Sequence, residues 1–536
     1  MTVSIDQRYG PRPTVSTPDV DLPAFDGLGQ LLPRLVESYG DRTALATDGR
    51  NFTFAELNEI SADVSAALAA RGIGPGDTVA VLSPNRWEWI AVYHGILKLG
   101  GVVVPLNAML TTDEVAFIVR DAGAKVVFIA GEALDAVGTV FNGIDSVELV
   151  ISFDEREDCL DLHRMLAENS GSNFEPRPVD SASLACVAYT SGTTGRPKGT
   201  MQSHRSLVLN CAYTATMHGR TADDVVVTSL PAAHVYGNVV INSTLLAGGR
   251  IVLLARFDPA TALAAIETHR ATMFEGVPAM YAMMLASQAI TDASLSSLRR
   301  CTVGGQTVSA HVITEWEQRS RAPLIETWGM TELSGAGTTH AVYAPNVRGS
   351  IGIALPGVEL RVAALDGRRT ECAPGEAGEL MVRGPIVTMG YLNNPKATAE
   401  SVTPEGWLHT GDLATHDGTG HFFVIDRLKD VIITSGYNIY PAEIERVLIG
   451  HEAVTLVAVG REPHDVKGEV AHAYVVRSPG HEPDADDLLA YCRQRLAAYK
   501  VPRAIHFVDQ LPTTSSGKLI RRALRQPTAD VIPSID

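Results

Sequence analysis

The sequence predicts an α/β protein. A large N-terminal domain of layered α/β subdomains, doubly wound sheets plus a smaller β-rich part, is expected to precede a small, mobile α+β domain. Three observations predict this. Helical and strand patterns alternate over most of the 536 residues. Their lengths suit parallel sheets covered on both faces. After about residue 427 the alternation gives way to a shorter mixed pattern, with the charged stretch "DRLKD" (426–430) at the change. The expected organisation is an irregular lead-in at 1–27, a main domain at 28–427 and a mobile domain at 428–536.

In order, the Pro-rich start "MTVSIDQRYGPRP" has charges and no apolar run, so it does not read as a signal peptide. "VSAALAARGIG" reads as a helix closed by glycine and "DTVAVLS" as the strand after it. "DEVAFIVRDAG" and "AKVVFIA" repeat the scheme. In "FDPATALAAIETHRATMFEGVP", Asp258 is placed to cap a helix whose first turn suits Pro259. The strand that follows runs through Met273 and Phe274. In the C-terminal part, "PAEIERVLIG" is a helix with Pro441 in its first turn. "VTLVAVG" and "EVAHAYVVR" are strands, followed by a helix around 485–497 and a strand at "AIHFV".

Composition narrows the function. The net charge of −17 argues against an electrostatic grip on nucleic acid or anionic membranes. An anionic small molecule must then be met by a local basic cluster. Six cysteines without CxxC spacing suggest neither a zinc knuckle nor a redox pair, and fit a reduced, cytoplasmic setting. The most apolar runs, such as "GGVVVPL", are too short to span a bilayer.

The stretch "YTSGTTGRPKG" (189–199) exposes backbone N–H groups and hydroxyls, a nest for phosphate oxygens with a lysine to supply charge. It is not a Walker A loop. Counted from Gly192, Lys198 takes the lysine position, but Pro197 replaces the glycine and Gly199 the Ser/Thr that would bind magnesium.

With "ETWGMTE" (326–332), "GWLHTGDLA" (406–414), "DRLKDVIITSGYNIYPAEIE" (426–445) and "PTTSSGKLIRR" (512–522), the loop stands in an order and spacing that resembles the acyl-adenylate-forming (ANL) superfamily, which includes the AMP-dependent acyl-CoA synthetases. The likeness runs from about residue 28 to 525. It implies an ATP-dependent ligase: a carboxylate attacks the α-phosphate of ATP, and the acyl-AMP then passes its acyl group to a thiol. That chemistry asks for positioning and neutralised charge rather than acid–base catalysis.

The resemblance also implies roles. Thr190, Ser191, Gly192, Thr193, Thr194, Gly195 and Lys198 would hold the β- and γ-phosphates. Gly304, Gly305 and Gln306 would lie by the adenine and the acyl pocket. Thr327, Trp328 and Gly329 lead into Thr331, which would meet the α-phosphate, and Glu332, a Mg2+ ligand. Trp328, where the family usually has Tyr, would offer adenine a flat face but no phenolic hydrogen bond. Asp412 and Arg427 would bind the ribose. His234, Tyr236, Gly237, Gly305, Gly329 and Met330 would line the acyl pocket, His234 as a wall and the glycines as room. Gly436 and Tyr437 would border the CoA path, Lys429 would be the hinge, and Lys518 would bridge the carboxylate and the α-phosphate.

The cofactors implied are ATP, Mg2+ and coenzyme A. "FDPATALAAIETHRATMFEGVPAMY" resembles medium- and long-chain fatty acyl-CoA synthetases, so a fatty acid is the expected substrate. An aryl or polycyclic aromatic acid is the alternative, and a carrier protein loaded in trans an alternative acceptor. No nucleic acid is expected as a partner; a homodimer remains open.

Overall fold

The computed structural model describes residues 25–47, 49–190, 197–366, 370–435, 437–478, 480–512, 519 and 521–524. The phosphate-loop residues Ser191–Gly195, Gly436 of the CoA path and Lys518 lie outside the described residues.

The fold is layered α/β, as expected. An eight-stranded sheet is built around the parallel strands Val102–Leu106, Thr78–Leu82 and Val126–Ile129, and has the antiparallel pair Leu184–Thr190 and Lys198–Ser203 on one side. A nine-stranded sheet carries Val225–Thr228, Met273–Gly276, Arg300–Gly304 and Leu324–Met330 in parallel, then Gly335–Thr339 antiparallel. The smaller β-rich part is an antiparallel four-stranded sheet, Glu359–Ala363, Gly378–Arg383, Leu408–His416 and Phe422–Arg427.

Local chemistry explains the element starts. Thr53 and Glu56 form a reciprocal capping box on helix Phe54–Ala70, and Thr111 and Glu114 do the same for Thr112–Asp121. Asp258 Oδ2 accepts from Thr261 N at 2.8 Å, with Pro259 at the first helical position. The parallel strands are buried on both faces: Val126, Val127, Phe128 and Ile129 are all fully inaccessible.

After the 3-10 turn Leu428–Asp430 lies a separate sheet, Tyr437–Ile439, Ile432–Thr434, Gly468–Arg477 and Val454–His464, with Ala504–Phe507 paired to Gly468–Arg477. It has its own apolar cluster around Ile432, Ile444, Val475 and Leu488. Two differences from the sequence reading stand out. The strand expected at "VTLVAVG" runs on to His464, because nine successive residues from Leu456 to His464 pair with the partner strand, Arg461 and Pro463 among them. The helix expected to reach 497 ends at Arg493, and a short 3-10 turn follows at Ala498–Lys500. All six cysteines are free. Among the described residues, no helix is long and apolar enough to cross a membrane.

Candidate active site

Of the residues singled out in the sequence, Lys198, Trp328, Thr331, Glu332, Asp412 and Arg427 come together through contacts that link the two large sheets and the four-stranded sheet. Thr190 ends one strand and Lys198 begins the next, directly paired in register, so the phosphate-loop motif joins two adjacent antiparallel strands. The Lys198 ammonium sits 5.0 Å from the centre of the Tyr391 ring. Tyr391 in turn donates its hydroxyl to Glu332 Oε1 at 2.8 Å. Burial, then the charge of Glu332, raises the Tyr391 pKa, so the phenol stays a donor. Lys198, Tyr391 and Glu332 thus form one line, from the phosphate-loop strand to the "TWGMTE" turn.

That turn is held from several sides. Gln202 Nε2 donates to the Thr331 carbonyl at 2.9 Å, and Thr388 N donates to the Glu332 carbonyl at 2.7 Å. Asn210 Nδ2 donates to the carbonyls of Leu333 (2.9 Å) and Ala336 (2.7 Å), while its Oδ1 accepts from Ala336 N. Ser334 adopts φ 59°, a left-handed conformation, and its hydroxyl donates to Ser206 Oγ at 2.8 Å. A backbone pinned this way presents Thr331 and Glu332 without rearrangement. Glu332 Oε1 is taken by Tyr391. Its Oε2 has no partner among the described residues, so the carboxylate retains the lone pairs a hard cation needs.

Trp328 differs from the expectation in one respect. Its indole is buried in the core cluster that includes Leu333, Ile353 and Leu380, with one edge against Gly337. Its Nε1 donates to Asp412 Oδ2 at 2.9 Å. The indole thus makes a hydrogen bond of its own, which the sequence reading did not foresee. Asp412 is buried, its Oδ1 paired with Arg427 Nε at 2.6 Å across the register Asp412↔Arg427. Trp328, Asp412 and Arg427 make a continuous polar edge.

The acyl-side residues gather around the ends of the parallel strands. Gly304 ends its strand and Gly305 turns with φ 86°. The Tyr236 ring lies 3.4 Å from where a Cβ on Gly304 would stand. Its hydroxyl is 3.1 Å from Thr302 Oγ1. Thr302 Oγ1 donates to Glu275 Oε2 at 2.6 Å, and Glu275 forms an ion pair with Arg220 at 2.5 Å, both side chains fully buried. His234 is the N-cap of helix Val235–Leu246, its Nδ1 accepting from Tyr236 N at 3.2 Å.

Gly237 and Gly329 are glycines for close packing rather than for room. A Cβ would lie 2.2 Å from the Pro231 carbonyl oxygen at 237 and 2.0 Å from that of Gly335 at 329. Met330 ends the Leu324–Met330 strand and packs on the neighbouring core. Lys429 sits in the 3-10 turn Leu428–Asp430, its carbonyl accepting from Arg461. Tyr437 is largely exposed, its ring centre 4.9 Å from that of Tyr499. Gln306 follows the Gly305 turn, and Thr327 Oγ1 donates to the Thr338 carbonyl. Sequence reasoning missed Gln202, Tyr391, Asn210, Thr302, Glu275 and Arg220. Asn210, Glu275 and Thr302 are polar residues inside otherwise apolar segments, a signal that is weak without the fold, and the other three carry no local signal.

The family model described as "AMP-binding enzyme" matches residues 32–392, and that for the "AMP-binding enzyme C-terminal domain" matches 443–518. The chain belongs to the AMP-binding enzyme family. It is thus an ANL-superfamily enzyme, an AMP-forming acid–CoA ligase that uses ATP and CoA. A feruloyl-CoA synthase from Amycolatopsis sp. is 37% identical over 93% of this chain and 99% of its own length. A long-chain-fatty-acid–CoA ligase from Bacillus subtilis (strain 168) is 33% identical over 93% and 94%. Among solved structures, the anthranilate CoA ligase AuaEII in complex with anthranoyl-AMP superposes with a TM-score of 0.87 at 26% identity, over 93% of this chain and 96% of that one.

Proposed function

We propose that this ligase activates an acid built on an aromatic ring, rather than the medium- or long-chain fatty acid the sequence favoured. Relatives of both kinds resemble the chain. The observation that carries the reading is the polar floor beside the Gly304–Gly305 turn: the Tyr236 hydroxyl, linked to Thr302 and backed by the buried Glu275–Arg220 pair. The hydroxyl proton is taken up by Thr302, so an alkyl chain would leave the phenol's remaining lone pairs without a donor, a cost a polar-substituted ring avoids.

The reaction is the one its family membership supports. A carboxylate oxygen attacks the α-phosphorus of ATP, and the bond to the β-phosphate oxygen breaks to release pyrophosphate. The CoA thiol then attacks the acyl carbon, and AMP leaves. Lys198 and the loop after Thr190 would hold the β- and γ-phosphates. Thr331 would meet the α-phosphate, and Trp328 with Asp412 and Arg427 would bind adenosine. Mg2+, held by Glu332, would supply charge neutralisation along the triphosphate. Residues 428–536 would reorient about Lys429 between the half-reactions. Lys518 would serve the first, and Gly436 and Tyr437 would border the thiol's path in the second.

A panel of hydroxycinnamic, benzoic, straight-chain fatty and branched acids tests this, with pyrophosphate release and CoA thioester measured for each. The highest kcat/KM is expected for a ring acid, with thioester formed on free CoA. A long-chain alkyl acid exceeding every ring acid would overturn the substrate reading. Pyrophosphate release without thioester on CoA would point to a carrier-protein thiol instead.

A further inference from the structure

We propose that Thr302, Glu275 and Arg220 are positioning residues for acid selection: they fix the Tyr236 hydroxyl as a hydrogen-bond acceptor toward the acid, so the enzyme favours ring acids bearing an O–H or N–H donor. This rests on the ring-acid reading above and deepens it.

The argument is one of proton counting. Glu275 is fully inaccessible on the strand Met273–Gly276, and the Arg220 guanidinium that neutralises it is equally buried. Arg220 is itself oriented, Nη1 donating to Thr244 Oγ1 at 2.6 Å. The carboxylate is therefore an acceptor. Thr302, on the neighbouring strand Arg300–Gly304, has one hydroxyl proton and donates it to Glu275 Oε2 at 2.6 Å. Its oxygen can then only accept, and the group that reaches it, at 3.1 Å, is the Tyr236 hydroxyl. The phenolic proton is thus directed inward. The carbonyl of Gly276, at 3.5 Å, is too far to compete. The phenol then has only lone pairs to offer an acid placed beside it.

The residue is anchored through its backbone, whose N–H is tied to the His234 cap at the start of its helix. A buried ion pair is weak evidence for stability, since well-packed apolar residues often do as well. Here it does something they could not: it sets the direction of a hydrogen-bond chain that ends at the acid.

The test compares 3- and 4-hydroxycinnamate with their methyl ethers and with cinnamate, on wild type and on the Thr302→Val, Thr302→Ser and Tyr236→Phe variants. Circular dichroism serves as the folding control. Wild type should prefer the better hydroxylated acid to its ether by about tenfold or more in kcat/KM, the worth of one well-placed hydrogen bond. Thr302→Val should cut that preference to about threefold or less, chiefly through the KM for the hydroxylated acid. Thr302→Ser should restore it, and Tyr236→Phe should abolish it. The proposal is overturned if wild type does not discriminate, if Thr302→Val lowers kcat/KM for all three acid types equally, or if Thr302→Ser behaves like Val. Should Thr302→Val not fold, the Ser and Phe variants decide the matter. If alkyl acids outperform every cinnamate, the ring-acid reading fails. If cinnamates are preferred but ether and phenol are treated alike, only the relay fails.

Discussion

Trp328 shows how one side chain can join two parts of the proposed nucleotide site. Its apolar body is core, packed with Leu333 and Ile353, and its single N–H reaches Asp412. Asp412 is held at both oxygens, by the indole and by Arg427, so its orientation is set by the fold. Trp328→Phe keeps most of the ring and removes only the donor. The KM for ATP should rise by about tenfold, the usual worth of a hydrogen bond to a charged group, with a smaller change in kcat. An unchanged KM would mean the indole–carboxylate bond is structural only. The motif "TWGMTE" was legible in the sequence because hydroxyl, aromatic and carboxylate stand at a recognisable spacing. The Asp412 partner was not, since the two residues lie far apart in the chain on different sheets. Tyr391 was illegible for a related reason: a tyrosine in "GYLNNP" carries no chemical mark until the fold sets it between Lys198 and Glu332.

At the scale of the element, the informative piece is the helix Pro441–Leu448, first of the C-terminal part. Its N-cap residue, Tyr440, gives no side-chain cap. Asp426, on the other side of the Leu428–Asp430 turn, instead accepts from Ala442 N at 2.8 Å and from Arg427 N at 2.7 Å. One carboxylate thus ties the strand Phe422–Arg427 to the helix Pro441–Leu448. Asp426→Ala should cost about 1 kcal/mol in a denaturant melt, the typical worth of a cap. Asp426→Asn, which keeps an acceptor, should cost less. Burial holds the Asp426 carboxyl above its usual pKa. Its contribution is therefore greatest in acid and is lost as pH rises through the folded value, so wild type should gain on Asp426→Asn as pH falls. Pro441 and the helical period made this helix readable from sequence. The borrowed cap was not readable, because nothing local distinguishes Asp426 from any other acid in "IDRLKD". The overlong hairpin Val454–His464 with Gly468–Arg477 escaped for another reason: Pro463 and its charged neighbours read as a turn until a full partner strand pairs with them.

For the molecule as a whole, fold class and reaction were legible because five motifs occur in one order along nearly the whole chain. The identity of the acid was not. In the proposal above it is set through side chains such as Glu275, Thr302 and Arg220, which lie on separate segments and touch one another only in the fold. The central claim is that one chain performs two half-reactions with different parts of its C-terminal region. The measurement that tests it most directly assays both half-reactions separately on Lys518→Ala and Gly436→Leu, with circular dichroism to confirm folding. Lys518→Ala should lose acid-dependent pyrophosphate release by about a hundredfold or more, the scale of one strong electrostatic stabiliser, yet still convert supplied acyl-AMP and CoA to thioester. Gly436→Leu should release pyrophosphate and accumulate acyl-AMP but make little thioester. If both folded variants lose the two steps equally, the division of labour between the two half-reactions is contradicted.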